Sequence, residues 1–162
     1  MYAKGEYIVH PGQGVCEVLD ITSGDKAVYK LLPLTQTRPL VISFPVASEG
    51  RLRPVLSREE ALEIIESYPS IELDDFTDHS GAVEEDYFKT QMKEGTCSDS
   101  VRIVKTFRHR IARAREDKRK PPVVYERILR EASTRSLGEL AVALGSTPEA
   151  VKELFEQQET TE

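Results

Sequence analysis

Cysteine is scarce: the 162-residue chain has two, Cys16 and Cys97, 81 positions apart. Two cysteines so placed build neither a disulfide framework nor a zinc ribbon, which points to a reduced, cytoplasmic protein. Long hydrophobic runs are missing too. The longest is the five residues of LAVAL, Leu140 to Leu144, and no charged-plus-apolar leader precedes the first strand-like run, so no membrane span and no membrane partner are expected. Nor is there a positive charge balance: the formal net charge is −6, which argues against an indiscriminate coat on nucleic acid. The length suits one domain or two small ones, with room for a real core.

The usual signatures of chemistry are incomplete. Gly12 and Gly14 suggest a dinucleotide loop, but the third glycine is absent and a further strand-like run, not a helix, follows. The stretch PGQG is therefore read as a hairpin turn. His10 and Cys16 are too few to hold a metal, and His79 and His109 lie in unrelated segments. Asp74, Asp78 and Glu85 fall at positions 1, 5 and 12 of a calcium loop, but position 3 is Phe76 and position 6, which needs glycine, is His79. No nucleophile or carboxylate pair stands in a catalytic setting. The expectation is a protein that is not an enzyme and has no metal, no cofactor and no small-molecule substrate.

What the sequence does have is a change of period. Residues 1–56 carry the strand-like runs EYIVH, VCEVLDI, AVYKLL and LVISF, separated by PGQG, SGDK and PLTQTRP. Four or five short strands in so few residues fit a small barrel of the SH3 or Tudor kind, with at least one exposed edge. Ser57 and Glu60 then stand in capping-box spacing ahead of a helix that runs to about Tyr68. The acidic, turn-rich stretch to residue 86 reads as a linker. Further helices are expected at 84–94, 98–117, 122–133 and 136–158, the last broken at GSTP. The fold class is α+β: a β domain at 1–56, a helix and acidic linker at 57–86, and an all-α domain of four to five helices at 87–162.

Charge is distributed unevenly. Residues 51–101 have a net charge of −8, while 102–135 carry twelve Lys and Arg against four Asp and Glu. Nine of the 22 basic residues fall between Arg102 and Lys120, opposed only by Glu116 and Asp117. On the helix there, Ile103, Val104, Phe107, Ile111 and Ala114 form one face. Arg102, Lys105, His109 and Arg113 lie opposite, with Arg108, Arg110 and Arg115 at the flanks. A basic helical face in an acidic chain points to phosphate contact. The tail SLGELAVALGSTPEAVKELF looks like a helix-turn-helix, yet its second helix offers Lys152 against Glu149, Glu153, Glu156 and Glu159. A major groove repels such a helix, so the pair is read as packing.

The stretch KGEYIVHPGQGVCEVLDI followed by FPVASEGRLRPVLSREEALEII resembles the CarD, CdnL and transcription-repair coupling factor family. Its RNA polymerase interacting domain carries a pattern close to GDxVVYPxHGV and then PV...GLRPLIS. Gly5, Val9, Pro11, Gly12, Gly14 and Val15 match the first part, and Pro45, Val46, Arg51 to Val55 and Ser57 the second. FKTQMKEGTCSDSVRIVKTFRHR, YERILREA and LGELAVALGSTPEAVKELF resemble the helical domain of the stand-alone CarD and CdnL proteins more loosely.

This resemblance implies a bacterial, nucleoid-associated transcription regulator. Its Tudor-like barrel is expected to bind the RNA polymerase β subunit through Lys26, Arg38, Val41, Ile42, Ser43 and Pro45. Its helical domain is expected to contact promoter DNA, modulating the open complex, through Arg102, Lys105, Arg108, Arg113, Lys118 and Lys120. Two positions depart from the family. Ser43 stands where CarD presents an arginine, with Lys26 a substitute for a second basic contact. The wedge tryptophan is absent, leaving Tyr87 or Phe88 in VEEDYFK as the aromatic candidates. The alternative is a protein-protein adaptor that uses the same barrel but whose helical half binds an acidic partner protein in place of DNA.

Overall fold

A computed structural model of the chain describes residues 1–160. The architecture is α+β, an antiparallel sheet followed by five helices. Strands β1 (Tyr7–His10), β2 (Gly14–Ile21), β3 (Val28–Pro33), β4 (Ile42–Pro45) and β5 (Arg53–Pro54) lie in the order β4-β3-β2-β1-β5. β4 and β5 form the two edges and do not pair, so the sheet is open where a barrel was expected. The physical reason is the short β5: two residues pair with β1 and the chain then enters a helix.

The PGQG stretch is a hairpin turn. His10 pairs with Gly14 across three loop residues, and His10 Nδ1 accepts hydrogen bonds from the N–H groups of Gly12 at 3.0 Å and Gln13 at 3.1 Å. Gly14 sits at φ +76°, the left-handed position that closes a three-residue hairpin. Alternation on β3 turns Tyr29, Leu31 and Pro33 inward. With Ile8, Cys16, Val18, Phe44 and Leu52, Tyr29 and Leu31 form the core of the sheet layer.

Helix α1 (Arg58–Ser67) begins with the expected capping box, in which the Ser57 hydroxyl accepts from Glu60 N–H and the Glu60 carboxylate from Ser57 N–H. Its buried residues Ala61 and Ile65, with Tyr68, join Val101, Leu140, Val151 and Phe155 in one cluster. Residues 57–68 are thus part of the helical core, not a link to it. α2 (Gly81–Glu94), α3 (Cys97–Glu116), α4 (Val123–Leu144) and α5 (Pro148–Thr160) complete the layer. A second cluster joins Phe88 and Met92 to Ile103, Phe107, Val124, Ile128 and Ala132.

Two helical expectations are corrected. The interruption expected between 133 and 136 is absent, since α4 runs unbroken to Leu144, while the break expected at GSTP is present at Gly145 to Thr147. Val124, Ile128, Ala132, Ser136 and Leu140 recur every fourth residue and are all buried, so the stripe continues through STRS. The Ser136 hydroxyl keeps itself paired by donating to the Ala132 carbonyl at 2.8 Å.

The second correction concerns the acidic segment, which is a strap laid on α3 and not a solvated linker. Lys105 Nζ donates to the carbonyls of Tyr68, Pro69 and Ile71 at 2.9, 2.9 and 2.7 Å. Thr106 Oγ1 accepts from Asp74 N–H, and Arg110 donates to the carbonyls of Asp74 and Phe76.

The sheet rests on α4 at a close approach. A Cβ at Gly138 meets Thr35 Cγ2 at 2.5 Å and Val15 Cγ1 at 3.5 Å, so only glycine lets α4 pass this near to β2 and the loop after β3. Beside it, Glu139 takes a bidentate ion pair from Arg53 and a hydrogen bond from Leu56 N–H.

Candidate functional site

The first candidate surface is the β4 edge. Its outer side has no neighbouring strand among the described residues, leaving a row of backbone groups able to accept another strand. Pairing with β3 sets Ser43 opposite Lys30 and Pro45 opposite Val28. The six residues expected to meet polymerase all fall on this side. Arg38 and Val41 lie in the loop entering β4; Ile42, Ser43 and Pro45 are on the strand; Lys26 is in the turn that enters β3. All but Ile42, which is half-buried, are exposed.

Leu40, next to Val41, is 75% exposed and Val41 is 53% exposed, the largest apolar exposure near any strand edge apart from the N-terminal methionine. Lys30 was missed by the sequence reading. Its Nζ donates to Ser43 Oγ at 2.8 Å, so a positive charge stands over Ser43 from the neighbouring strand. Cross-strand register is the signal that finds it.

The basic face of α3 is less open than its sequence suggests. Of the six expected DNA contacts, Arg102, Arg113, Lys118 and Lys120 are exposed, with no ion pair among the described residues. Lys105 is held by the strap carbonyls. Arg108 pairs with Glu159 at 2.8 Å and donates to the Tyr68 hydroxyl. Of the flanking residues, Arg110 is mostly buried against Glu84, its guanidinium 4.9 Å from the centre of the Phe107 ring, and Arg115 pairs with Glu126.

Lys118 adopts φ +56° and caps α3 in place of the customary glycine, while Arg119 N–H reaches back to the Ala114 carbonyl. Cations here also complement the carboxyl end of the helix dipole, a structural role that needs no ligand.

The aromatic wedge candidates are corrected. Phe88 is fully buried, edge-on to Phe107, and no part of it reaches the surface. Tyr87 is half-buried and stacked on Phe76 with ring centres 3.9 Å apart, its hydroxyl 3.5 Å from Asp74. Both stand in the region that the resemblance equates with the family's tryptophan, but the helical period turns Phe88 into the core and lays Tyr87 against it.

Titratable groups are engaged structurally. Burial lowers the His10 pKa, helped by the charges of Arg135 and Arg51, so its neutral ring remains an acceptor. Burial pushes the Cys16 thiol up to about 12 and raises Cys97 as well, and both are free and buried, which makes them poor nucleophiles. Among the described residues, no three His, Cys, Asp or Glu side chains are placed to hold a metal ion together. No described helix is long and apolar enough to cross a membrane. No family model matches the chain, and no curated protein matches it either.

Proposed function

We propose that this protein is a non-enzymatic bacterial transcription regulator of the CarD and CdnL kind. Its Tudor-like sheet docks on the RNA polymerase β subunit along β4, and its helical layer meets promoter DNA and modulates the open complex. The observation that carries the reading is the free β4 edge. Exposed Leu40 and Val41 precede it, and Lys26, Lys30 and Arg38 have no carboxylate partner among the described residues. Such an edge takes up a partner's strand through main-chain hydrogen bonds, and its lysines and arginine favour an acidic neighbour. DNA contact rests on Arg102, Arg113, Lys118 and Lys120, which suit sequence-independent phosphate binding. The proposed mechanism uses no aromatic wedge, because Phe88 is in the core and Tyr87 is stacked on Phe76.

The test is calorimetry of the full chain against the purified β-lobe of a bacterial RNA polymerase at about physiological salt. One-to-one binding in the micromolar range or tighter is expected, weakened by Leu40→Asp with Val41→Asp. Absence of binding refutes polymerase docking. The full chain is required because α1 completes its core only with α4 and α5.

A second reading is an adaptor that binds an acidic protein: with Lys105, Arg108, Arg110, Arg115 and Arg119 engaged within the chain, the exposed cations left, Arg102, Arg113, Lys118 and Lys120, suit an acidic protein as well as a phosphate backbone. Duplex DNA lacking any promoter separates the two, since it competes for the helical layer only if that layer binds DNA.

A further inference from the structure

We propose that the cleft between the Pro11 to Gly14 turn and α4 binds a small phosphorylated anion, held by Lys89, Arg130 and Arg135. The cleft, of about 580 Å³, is walled on the sheet side by Gly12, Gln13, Thr35 and Gln36, and on the other by α2 and α4. That volume suits a small molecule. Neither the polymerase edge nor the basic face of α3 contributes to it.

Charge gives the class of ligand. Four cations line the cleft, Lys89, Arg127, Arg130 and Arg135, against Glu85 and Glu131. Arg127 is engaged by Glu85 through two hydrogen bonds, at 3.0 and 3.4 Å. Three cations then face one carboxylate, a surplus of two positive charges in a chain whose net charge is −6. A terminal phosphate carries about −1.5 to −2 near neutral pH. A backbone phosphodiester carries a single charge, so the surplus matches a free phosphorylated molecule better than a strand of nucleic acid.

Arg135 makes no ion pair with a carboxylate among the described residues. It is half-buried, and its one side-chain hydrogen bond among the described residues runs from Nη2 to the His10 carbonyl at 3.3 Å. The nearby buried carboxylate, Glu139, is taken by Arg53. Burial and the Arg53 charge lower the Arg135 pKa below its usual value, and the nearby Glu139 and Glu131 carboxylates offset this only in part. Such a group is unfavourable when left alone and gains most from a bidentate oxyanion.

The turn itself does not hold the ligand as a phosphate loop does. Its N–H groups at Gly12 and Gln13 already donate to His10 Nδ1, which leaves side chains to hold the ligand. Because Arg135 also holds the His10 carbonyl, an anion bound there ties the first hairpin of the sheet to α4. Occupancy therefore stiffens the joint between the two layers.

The experiment is calorimetric titration of the full chain with pyrophosphate at about physiological salt, with promoterless duplex DNA as a parallel titrant. Saturable one-to-one binding of pyrophosphate is expected, with a rise in melting temperature. Lys89→Gln and Arg130→Gln lie towards the surface and leave the core intact; each is expected to weaken binding about tenfold, the loss of one charged hydrogen bond. Arg135→Gln is expected to weaken it further. Absence of saturable binding, or binding indifferent to Lys89→Gln and Arg130→Gln, overturns the proposal. Duplex binding that depends on those residues in a protein that ignores pyrophosphate also overturns it, and assigns the cleft to a nucleic-acid backbone.

Discussion

Arg53 and Glu139, 86 residues apart in sequence, meet through two parallel N–H···O bonds of 2.7 and 2.6 Å. Glu139 is 2% exposed, and its carboxylate also accepts from Leu56 N–H at 3.2 Å. A buried carboxylate with three donors is satisfied, and it fixes the end of the sheet against the middle of α4. Removing one partner strands the other charge. Glu139→Ala is expected to lower stability by about 3–5 kcal/mol, measured by urea denaturation. Adding Arg53→Met should recover part of that loss, because the stranded charge goes with it. Equal or greater loss in the double variant rules out the pair as the joint between layers.

Gly138 makes the same joint a matter of sterics. A methyl group there lies 2.5 Å from Thr35 Cγ2, well inside contact distance. Gly138→Ala is expected to cost about 1–3 kcal/mol through overpacking. Thr35→Ser removes the offending methyl and is expected to restore most of it. If the serine variant gives no rescue, the clash lies with Val15 or the backbone instead, and the close approach at Thr35 is not what demands glycine.

His10 gives the hairpin a pH dependence with a definite sign. Its Nδ1 accepts two N–H groups, a role open only to the neutral ring, and its folded pKa is lowered from 6.5. The contribution is therefore complete above the unfolded value and is lost as pH falls through the lower folded one. Denaturation midpoints across pH 5 to 8 should fall more steeply at the acid end for wild type than for His10→Gln. Parallel curves would show that this ring does not carry the effect.

Much of the fold could be read from local rules. The Ser57 and Glu60 capping box, the PGQG hairpin and the apolar face of α3 all emerge as expected, because capping, turn chemistry and helical period act within a few residues. What the sequence did not disclose depends on distant neighbours. The strap at residues 71–76 is acidic and lacks periodicity, and it is ordered by Lys105, Thr106 and Arg110 from a helix some thirty residues later. Lys30 joins the β4 edge only through strand register. Arg135 reads as one more charge on a helix until burial and the commitment of Glu139 to Arg53 set it apart.

The α3 cations divide into two kinds, and substitution separates them. Lys105 Nζ gives all three of its N–H bonds to strap carbonyls, so Lys105→Gln unpins residues 68–71 and is expected to lower stability by about 2–3 kcal/mol. Arg113, two turns along the same helix, is exposed with no ion pair among the described residues, so Arg113→Gln should change stability by less than about 0.5 kcal/mol. Affinity for DNA should respond in the opposite order. Arg113→Gln removes a phosphate contact and reduces the salt dependence of binding by roughly one counterion, whereas Lys105→Gln at a temperature where it is fully folded leaves that slope unchanged. Parallel denaturation and salt-titrated DNA binding of the two variants read both effects. If Arg113→Gln leaves both affinity and salt slope untouched, Arg113 makes no phosphate contact and the adaptor reading, in which the helical half meets an acidic protein, takes precedence.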